Sequence, residues 1–299
     1  MVLRNVAVHL AAGAVLVAAT IGFGTAMAAE GDATPGPTPT AADGDATTAA
    51  TGAPAGTASA AVTLPPVDAR FDYQIGQAYA PPSGVTVVSR DREAAPAAGL
   101  YNICYVNAFQ VQPHEVTWWQ RNHDDLLLRD ADGEYVVDGD WNEILLDIST
   151  AAKRTAIAGI VNDWIDGCAA DGFQAVEPDN IDSYYRSDDL LTLDDAVEYL
   201  KLLAPHTHAA GLAIGQKNTT ELGTRGKAAG LDFAIAEECG RYDECGDYTR
   251  VYGDNVIDIE YTDDAYTKAC AAVGARVSVV RRDVDVTAPG SRTYVYRAC

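Results

Sequence analysis

Carboxylates gather where one apolar run stops. In residues 171–185, DGFQAVEPDNIDSYY, an extended chain puts Phe173, Ala175 and Glu177 on one side and Gln174 and Val176 on the other, until Pro178 ends regular pairing. The acids Glu177, Asp179 and Asp182 then sit at the strand's C-terminal end. Several carboxylates there are costly to desolvate, so packing alone is a poor reason to keep them. The chemistry they suit is glycoside hydrolysis, in which one carboxyl group protonates the leaving oxygen and a second acts as nucleophile or as base for water. The bland reading makes Asp179 and Asp182 caps of the following turn, and for Asp182 capping is expected.

Such acids need a scaffold that brings strand ends together. Short β-like runs alternate with helix-like ones along the chain, which favours a parallel α/β arrangement over a sandwich. The candidate strands are 71–76, 85–90, 101–108, 144–148, 173–179, 212–218, 233–238, 256–262 and 276–283. Nine is one more than a (β/α)8 TIM barrel holds, so 144–148 is assigned as a peripheral extra strand. Helical periodicity is clearest in 151–170, where Ile157, Ile160, Val161, Trp164, Ile165 and Cys168 share a face. Residues 193–210 repeat it, with Thr192 as N-cap and Gly211 as terminator. Many strands end in a polar residue: Gln74, Arg90, Asn107, Asp147, Asp179, Lys217, Asn218, Glu237, Glu260, Arg282 and Asp283. In a barrel these ends meet at one rim and form one site. Tyr73, Tyr105, Tyr184 and Tyr261 would add aromatic platforms for sugar rings.

The rest of the chain sets the address. Residues 1–28 carry Arg4, an apolar run and the ending Ala26-Met27-Ala28, the pattern of a secretory signal peptide, with an uncleaved membrane anchor as the alternative. Residues 29–66 are Ala, Thr, Gly and Pro with few large apolar groups, the composition of a disordered linker. Residues 67–299 remain as one catalytic domain, expected to be secreted, extracellular and monomeric. Its six cysteines, even in number behind an export signal, point to three disulfides. Spacing does not fix their pairing. Cys239 and Cys245 are near enough to close a small loop; of the three ways to pair the other four, Cys104 with Cys168 and Cys270 with Cys299 is the one taken as the expectation, without a derivation.

The formal charge of −22 makes nucleic acid a poor partner and a neutral or cationic polymer a natural one, although acidity also serves plain solubility. Neither a metal nor a cofactor is expected. His206 and His208 are two apart on a helix and point to different sides. The acids of 130–140 fail the spacing of a calcium loop, and Asp132-Gly133 reads as a hairpin turn. There is no nucleophilic serine elbow and no glycine loop for phosphate.

Six ordered motifs carry a resemblance: FDYQIG at 71–76, YNICYVNAF at 101–109, GFQAVEPDNIDSY at 172–184, GLAIGQKN at 211–218, DFAIAEEC at 232–239 and IEY at 259–261. Together they resemble glycoside hydrolase family 114, the endo-α-1,4-polygalactosaminidases, in a secreted actinobacterial form. The resemblance implies a (β/α)8 barrel with Asp179 and Glu237 as the catalytic carboxylates. It implies a cleft lined by Glu177, Lys217, Asn218, Glu260 and Tyr261, with Tyr73, Gln74, Tyr105 and Asp147 as wall residues. It also implies a polymer of α-1,4-linked galactosamine and N-acetylgalactosamine, cationic where acetyl groups are absent. The chain departs from the family pattern at Ala236 and Glu238, and by alternation Glu237 and Glu238 cannot both point inward. A barrel that binds exopolysaccharide without cleaving it, and a hydrolase of another α-linked glycan, are the alternatives.

Overall fold

The computed structural model describes residues 62–299; the signal-peptide reading and most of the linker reading lie outside them. The chain opens with strands β1 (Phe71–Gln74), β2 (Val87–Asp91) and β3 (Tyr101–Asn107). An insertion follows, made of β4 (Gln110–Val111), helix α1 (Val116–Asn122), β5 (Val137–Asp138) and β6 (Glu143–Leu145). Regular alternation then sets in with α2 (Ala151–Asp171), β7 (Ala175–Asp179), α3 (Leu193–Ala209), β8 (Ala213–Lys217), α4 (Thr224–Ala229) and β9 (Phe233–Glu237). It ends with α5 (Cys239–Tyr242), α6 (Cys245–Tyr252), β10 (Val256–Glu260), α7 (Asp263–Ala272), β11 (Ser278–Arg282) and β12 (Tyr296–Ala298).

Eight of these strands run parallel in the order β1-β2-β3-β7-β8-β9-β10-β11, and β12 adds an antiparallel strand at the β11 edge. The barrel is nearly closed. At the seam β1 and β11 are joined by side chains: Arg282 donates to Asp72 at 3.0 Å, and the Ala69 amide donates to Ser278 Oγ at 2.9 Å. The 144–148 run is indeed peripheral, since β6 pairs with β4 and β5 in a separate three-stranded sheet. The strands not foreseen are β4 and β5 of that small sheet and β12, whose neighbouring Cys299 is bonded to Cys270.

The two-residue period of the strands splits the core in two. Phe71, Tyr73, Val87, Ile103, Ala175, Ala213, Phe233, Ile235, Ile257, Ile259 and Val280 fill the barrel interior. Cys104, Val106, Val176, Ile214, Ala234, Ala236 and Val279 face outward, against helix residues such as Ile157, Val161, Ile165, Leu200 and Leu203. Burying each large apolar side chain contributes about 1.5–3 kcal/mol. Gly215 makes the interior fit, because a Cβ there would lie 3.0 Å from the Phe233 ring.

Phe173 departs from expectation. It precedes the strand and packs with the outer core rather than on the Ala175 side. Nor does Pro178 end β7. It pairs with Val106 of β3, and only the β8 side stops early, at Val176. A proline supplies no N–H, so pairing is lost on one flank and the strand continues on the other.

Helix ends follow local chemistry. Thr150 caps α2 through the Lys153 amide, and Gly172 closes it in the left-handed region at φ 92°. Thr192 and Asp195 form a capping box at α3. No helix stands between β1 and β2 or between β2 and β3; a small cluster of Val85, Val88 and Ala97 covers that flank. Val62 and Leu64 pack on the interior cluster and the Thr63 carbonyl accepts from Tyr101 Oη at 2.6 Å, so the packed domain starts before residue 67. Three disulfides form, Cys104–Cys168, Cys239–Cys245 and Cys270–Cys299.

Candidate active site

Inward-facing positions at the C-terminal ends of β3, β7, β8 and β9 deliver Tyr105, Glu177, Asp179, Lys217 and Glu237 to one point. Register explains the arrangement: Tyr105 lies level with Glu177, and Asn107 with Asp179. At the centre is Lys217, 2% exposed. Its Nζ donates to Asp179 Oδ1 at 2.9 Å and to Tyr73 Oη at 3.1 Å, and lies 3.2 Å from Glu237 Oε2 and 3.5 Å from Glu177 Oε1. One cation is thus shared by three carboxylates. Burial opposes its charge, but the charges of Asp179, Glu237 and Glu177 hold the ammonium well above the ordinary lysine range.

The three acids differ in access. Glu177 is fully buried, accepting from Tyr73 Oη at 2.8 Å and Ser89 Oγ at 2.5 Å. Burial lifts it to about 7, against the pull of Lys217. The Asp179 and Glu237 side chains keep 16% and 26% of their surface exposed. Burial alone would raise Asp179. The Lys217 charge, with hydrogen bonds from Lys217 and from Tyr105 Oη at 2.8 Å, outweighs it and holds the carboxyl below the usual aspartate range.

Glu237 accepts from Tyr261 Oη and from Asn218 Nδ2 at 3.0 Å, while its own amide donates to Asn218 Oδ1 at 2.7 Å. Asn218 and Thr219 hold φ of 46° and 64°, the left-handed turn that aims the asparagine at Glu237. Glu238 leaves the strand at φ 61° and pairs with Arg241, so it is Glu237 that faces the barrel mouth. Two carboxyl oxygens held by one Nζ can be no more than about 6 Å apart.

Three expected cleft residues lie elsewhere. Gln74 follows Tyr73 and therefore faces the other way. It donates to Asp72 at 2.8 Å and accepts from Arg90 Nε at 2.9 Å, in a buried network that also holds Arg282 and Tyr79. Glu260 is opposite in direction to Tyr261; it accepts from the Gly240 amide at 2.6 Å and sits by Asp258 beneath α5. Asp147 serves the start of α2, bonded to Ser149 and Lys153. Asp182 makes no turn cap and pairs with Arg186 at 2.9 Å. His206 and His208 bond to separate partners, Asp166 and Asp232. A groove of about 540 Å³ beside Tyr79, Pro81, Pro82 and Arg90 lies apart from the Lys217 cluster, and Arg90 spends its donors on Gln74, Ala95 and Tyr79.

Two residues were missed. Ser89 reaches Glu177 from β2, and its polar type in the apolar run VTVVSR was the available signal. Glu143 enters from β6, where Asn107 Nδ2 donates to it at 2.8 Å. Nothing local marks it, because it reaches the barrel mouth only through the inserted sheet. Burial lifts Glu143 to about 7.

The Glycoside-hydrolase family GH114 model matches residues 51–299. Aspergillus fumigatus Ega3, solved in complex with galactosamine, is 22% identical, and the match covers 80% of this chain and 99% of that one with a TM-score of 0.65. The glycoside hydrolase domain of PelA from Pseudomonas aeruginosa is 14% identical over 74% of this chain and 96% of its own, with a TM-score of 0.50. No curated protein matches. Identities this low speak for a shared barrel; the family match, which spans that barrel and all the carboxylates at its mouth, is what shows that the chain belongs to Glycoside-hydrolase family GH114 and is a glycoside hydrolase.

Proposed function

We propose that the protein is an exported, endo-acting hydrolase of α-1,4-linked galactosamine and N-acetylgalactosamine polymers that works with Asp179 as nucleophile and Glu237 as general acid. The observation that carries this reading is the single Lys217 ammonium between the Asp179 and Glu237 carboxylates. Lys217 donates a hydrogen bond to Asp179 and only an ion-pair contact to Glu237, so the anion is best held on Asp179. Glu237 is the more exposed of the two and the better placed to exchange a proton with water.

Asp179 attacks the anomeric carbon while Glu237 gives its proton to the departing glycosidic oxygen. A water then loses a proton to Glu237 and releases the sugar from Asp179. The two oxygens that touch Lys217 lie within about 6 Å of each other, which is compatible with retention, for which carboxyl groups stand about 5–5.5 Å apart, and we take retention over inversion, which needs about 6.5–9.5 Å to seat a water. The substrate is carried over from the galactosamine bound by Ega3 and agrees with the net charge of −22, which favours a cationic chain. Export is supported by the signal pattern at 1–28 and by three disulfides.

The test is chain length. Wild-type protein incubated with galactosaminan should release oligosaccharides, and Asp179→Asn and Glu237→Gln, each with an unchanged circular dichroism spectrum, should release none. Full activity in either variant removes the assignment, and binding without shortening by the wild type replaces it with a carbohydrate-binding role.

A further inference from the structure

Besides the fully buried Glu177, the barrel mouth holds another carboxylate that the two-acid mechanism leaves unused. Glu143 begins β6, outside the barrel, yet its side chain is fixed against the barrel strands. Asn107, level with Asp179 on the neighbouring strand, donates to Glu143 Oε2 at 2.8 Å, and Asn180 Nδ2 reaches the same oxygen at 3.5 Å. Asn180 also donates to Asn107 Oδ1 at 3.0 Å, so both amides are locked in place. Among the described residues no donor bonds Glu143 Oε1.

The charges around Glu143 are mostly negative. Asp179 and Asp138 both disfavour its anion. The cation that faces it, Arg186, is already committed to Asp138 at 2.6 Å and to Asp182 at 2.9 Å. Lys217 spends itself on Glu177, Asp179 and Glu237. A half-buried carboxylate without its own counter-ion is costly, and a ligand that brings a positive charge relieves that cost. An ammonium group does so and an acetamido group does not. The site is also built for an anion: the Asn107 amide orients one oxygen and leaves the other open.

We propose that Glu143 is a specificity-determining residue, accepting a hydrogen bond from the amino group of the sugar bound beside Asp179 and favouring deacetylated over acetylated units there. The inference rests on the galactosaminan reading given above. With Glu143 lifted to about 7 when the site is empty, an incoming ammonium draws it into the ionised form. The preference for the amino sugar is therefore strongest near neutral pH, and fades as pH falls towards 5 and Glu143 takes up a proton, or rises until the amine loses its own.

The experiment compares kcat/KM for fully deacetylated and fully N-acetylated galactosamine oligosaccharides in wild type and Glu143→Gln between pH 5 and 8. Expected is a shift of the ratio by at least tenfold towards the acetylated substrate at neutral pH, carried mainly by KM, together with loss of the wild-type fall in that ratio between pH 7 and 5. An equal fall on both substrates, or an unchanged ratio, overturns the proposal. If Glu143→Gln fails to fold, Glu143→Ala takes its place under the same criterion. If wild type cleaves neither substrate, the hydrolase reading falls on its own. Glu143 is then judged by calorimetry with the same two oligosaccharides, where a tenfold selective loss of affinity for the deacetylated one supports it and equal affinities refute it.

Discussion

Two clusters of buried acids lie on neighbouring strands and do opposite things. Glu177, Asp179 and Glu237 point into the barrel and share Lys217. Asp258 and Glu260 point outward from β10 and pack beneath α5, where the Cys239 and Gly240 amides donate to them. No lysine or arginine side chain is paired with either of them among the described residues. Asp258 Oδ2 and Glu260 Oε2 lack another partner, which fits two carboxyl groups holding one proton between them. Burial, then the neighbouring Glu260, holds Asp258 well above the usual aspartate range, whereas Lys217 brings Asp179 below it. A buried carboxylate becomes a candidate nucleophile only where a cation keeps it ionised; without one it shares a proton with its neighbour and serves the structure.

Removing the cation should break the contrast most severely. Lys217→Met leaves three acids facing one another, and a loss of roughly 3–5 kcal/mol in denaturant unfolding is expected, with activity down by about 10³-fold or more. Removing the cover over the outer pair comes next. The double change Cys239→Ser, Cys245→Ser opens a six-residue link and should cost about 2 kcal/mol while hydrolysis persists at temperatures where the fold holds.

Tyr105→Phe removes one donor from Asp179, and kcat should fall roughly tenfold, the effect of about 1.4 kcal/mol lost from the transition state. The smallest effect sharpens the comparison through pH. Asp258 and Glu260 titrate higher in the folded protein than in the unfolded chain, so their contribution is complete below the unfolded carboxylate range and is lost as pH rises through the folded values. Asp179 behaves in the opposite sense, its contribution being lost on acidification. Asp258→Asn replaces the shared proton by an amide N–H. It should raise the melting temperature relative to wild type at pH 8–9 by an amount equivalent to about 1 kcal/mol, with no gain at pH 4 and no change in activity.

The same contrast explains what could be read from the sequence. Strand ends were legible because apolar runs stop at polar residues, and the polar residues of β7, β8 and β9 do meet. Which side of a strand a residue takes was harder, since the period is two and a single step reverses it. Tyr73 and Tyr261 face in, so their neighbours Gln74 and Glu260 face out, although all four stood in one motif list. Asp147 and Glu143 belong to the insertion after β3, where long-range pairing decides position and local pattern says little. A full (β/α)8 barrel has a helix after every strand; those after β1 and β2 are absent, in loops that contain Pro81, Pro82 and Pro96.

The central claim is that Asp179 bonds to the sugar while Glu237 moves the proton. Mass spectrometry of peptides from Glu237→Gln, quenched during reaction with a galactosamine oligosaccharide carrying an activated leaving group that needs no protonation, tests it most directly. The account predicts a glycosyl adduct on the peptide that contains Asp179, absent in Asp179→Asn. An adduct on another residue, or products of inverted anomeric configuration from the wild type, would contradict it.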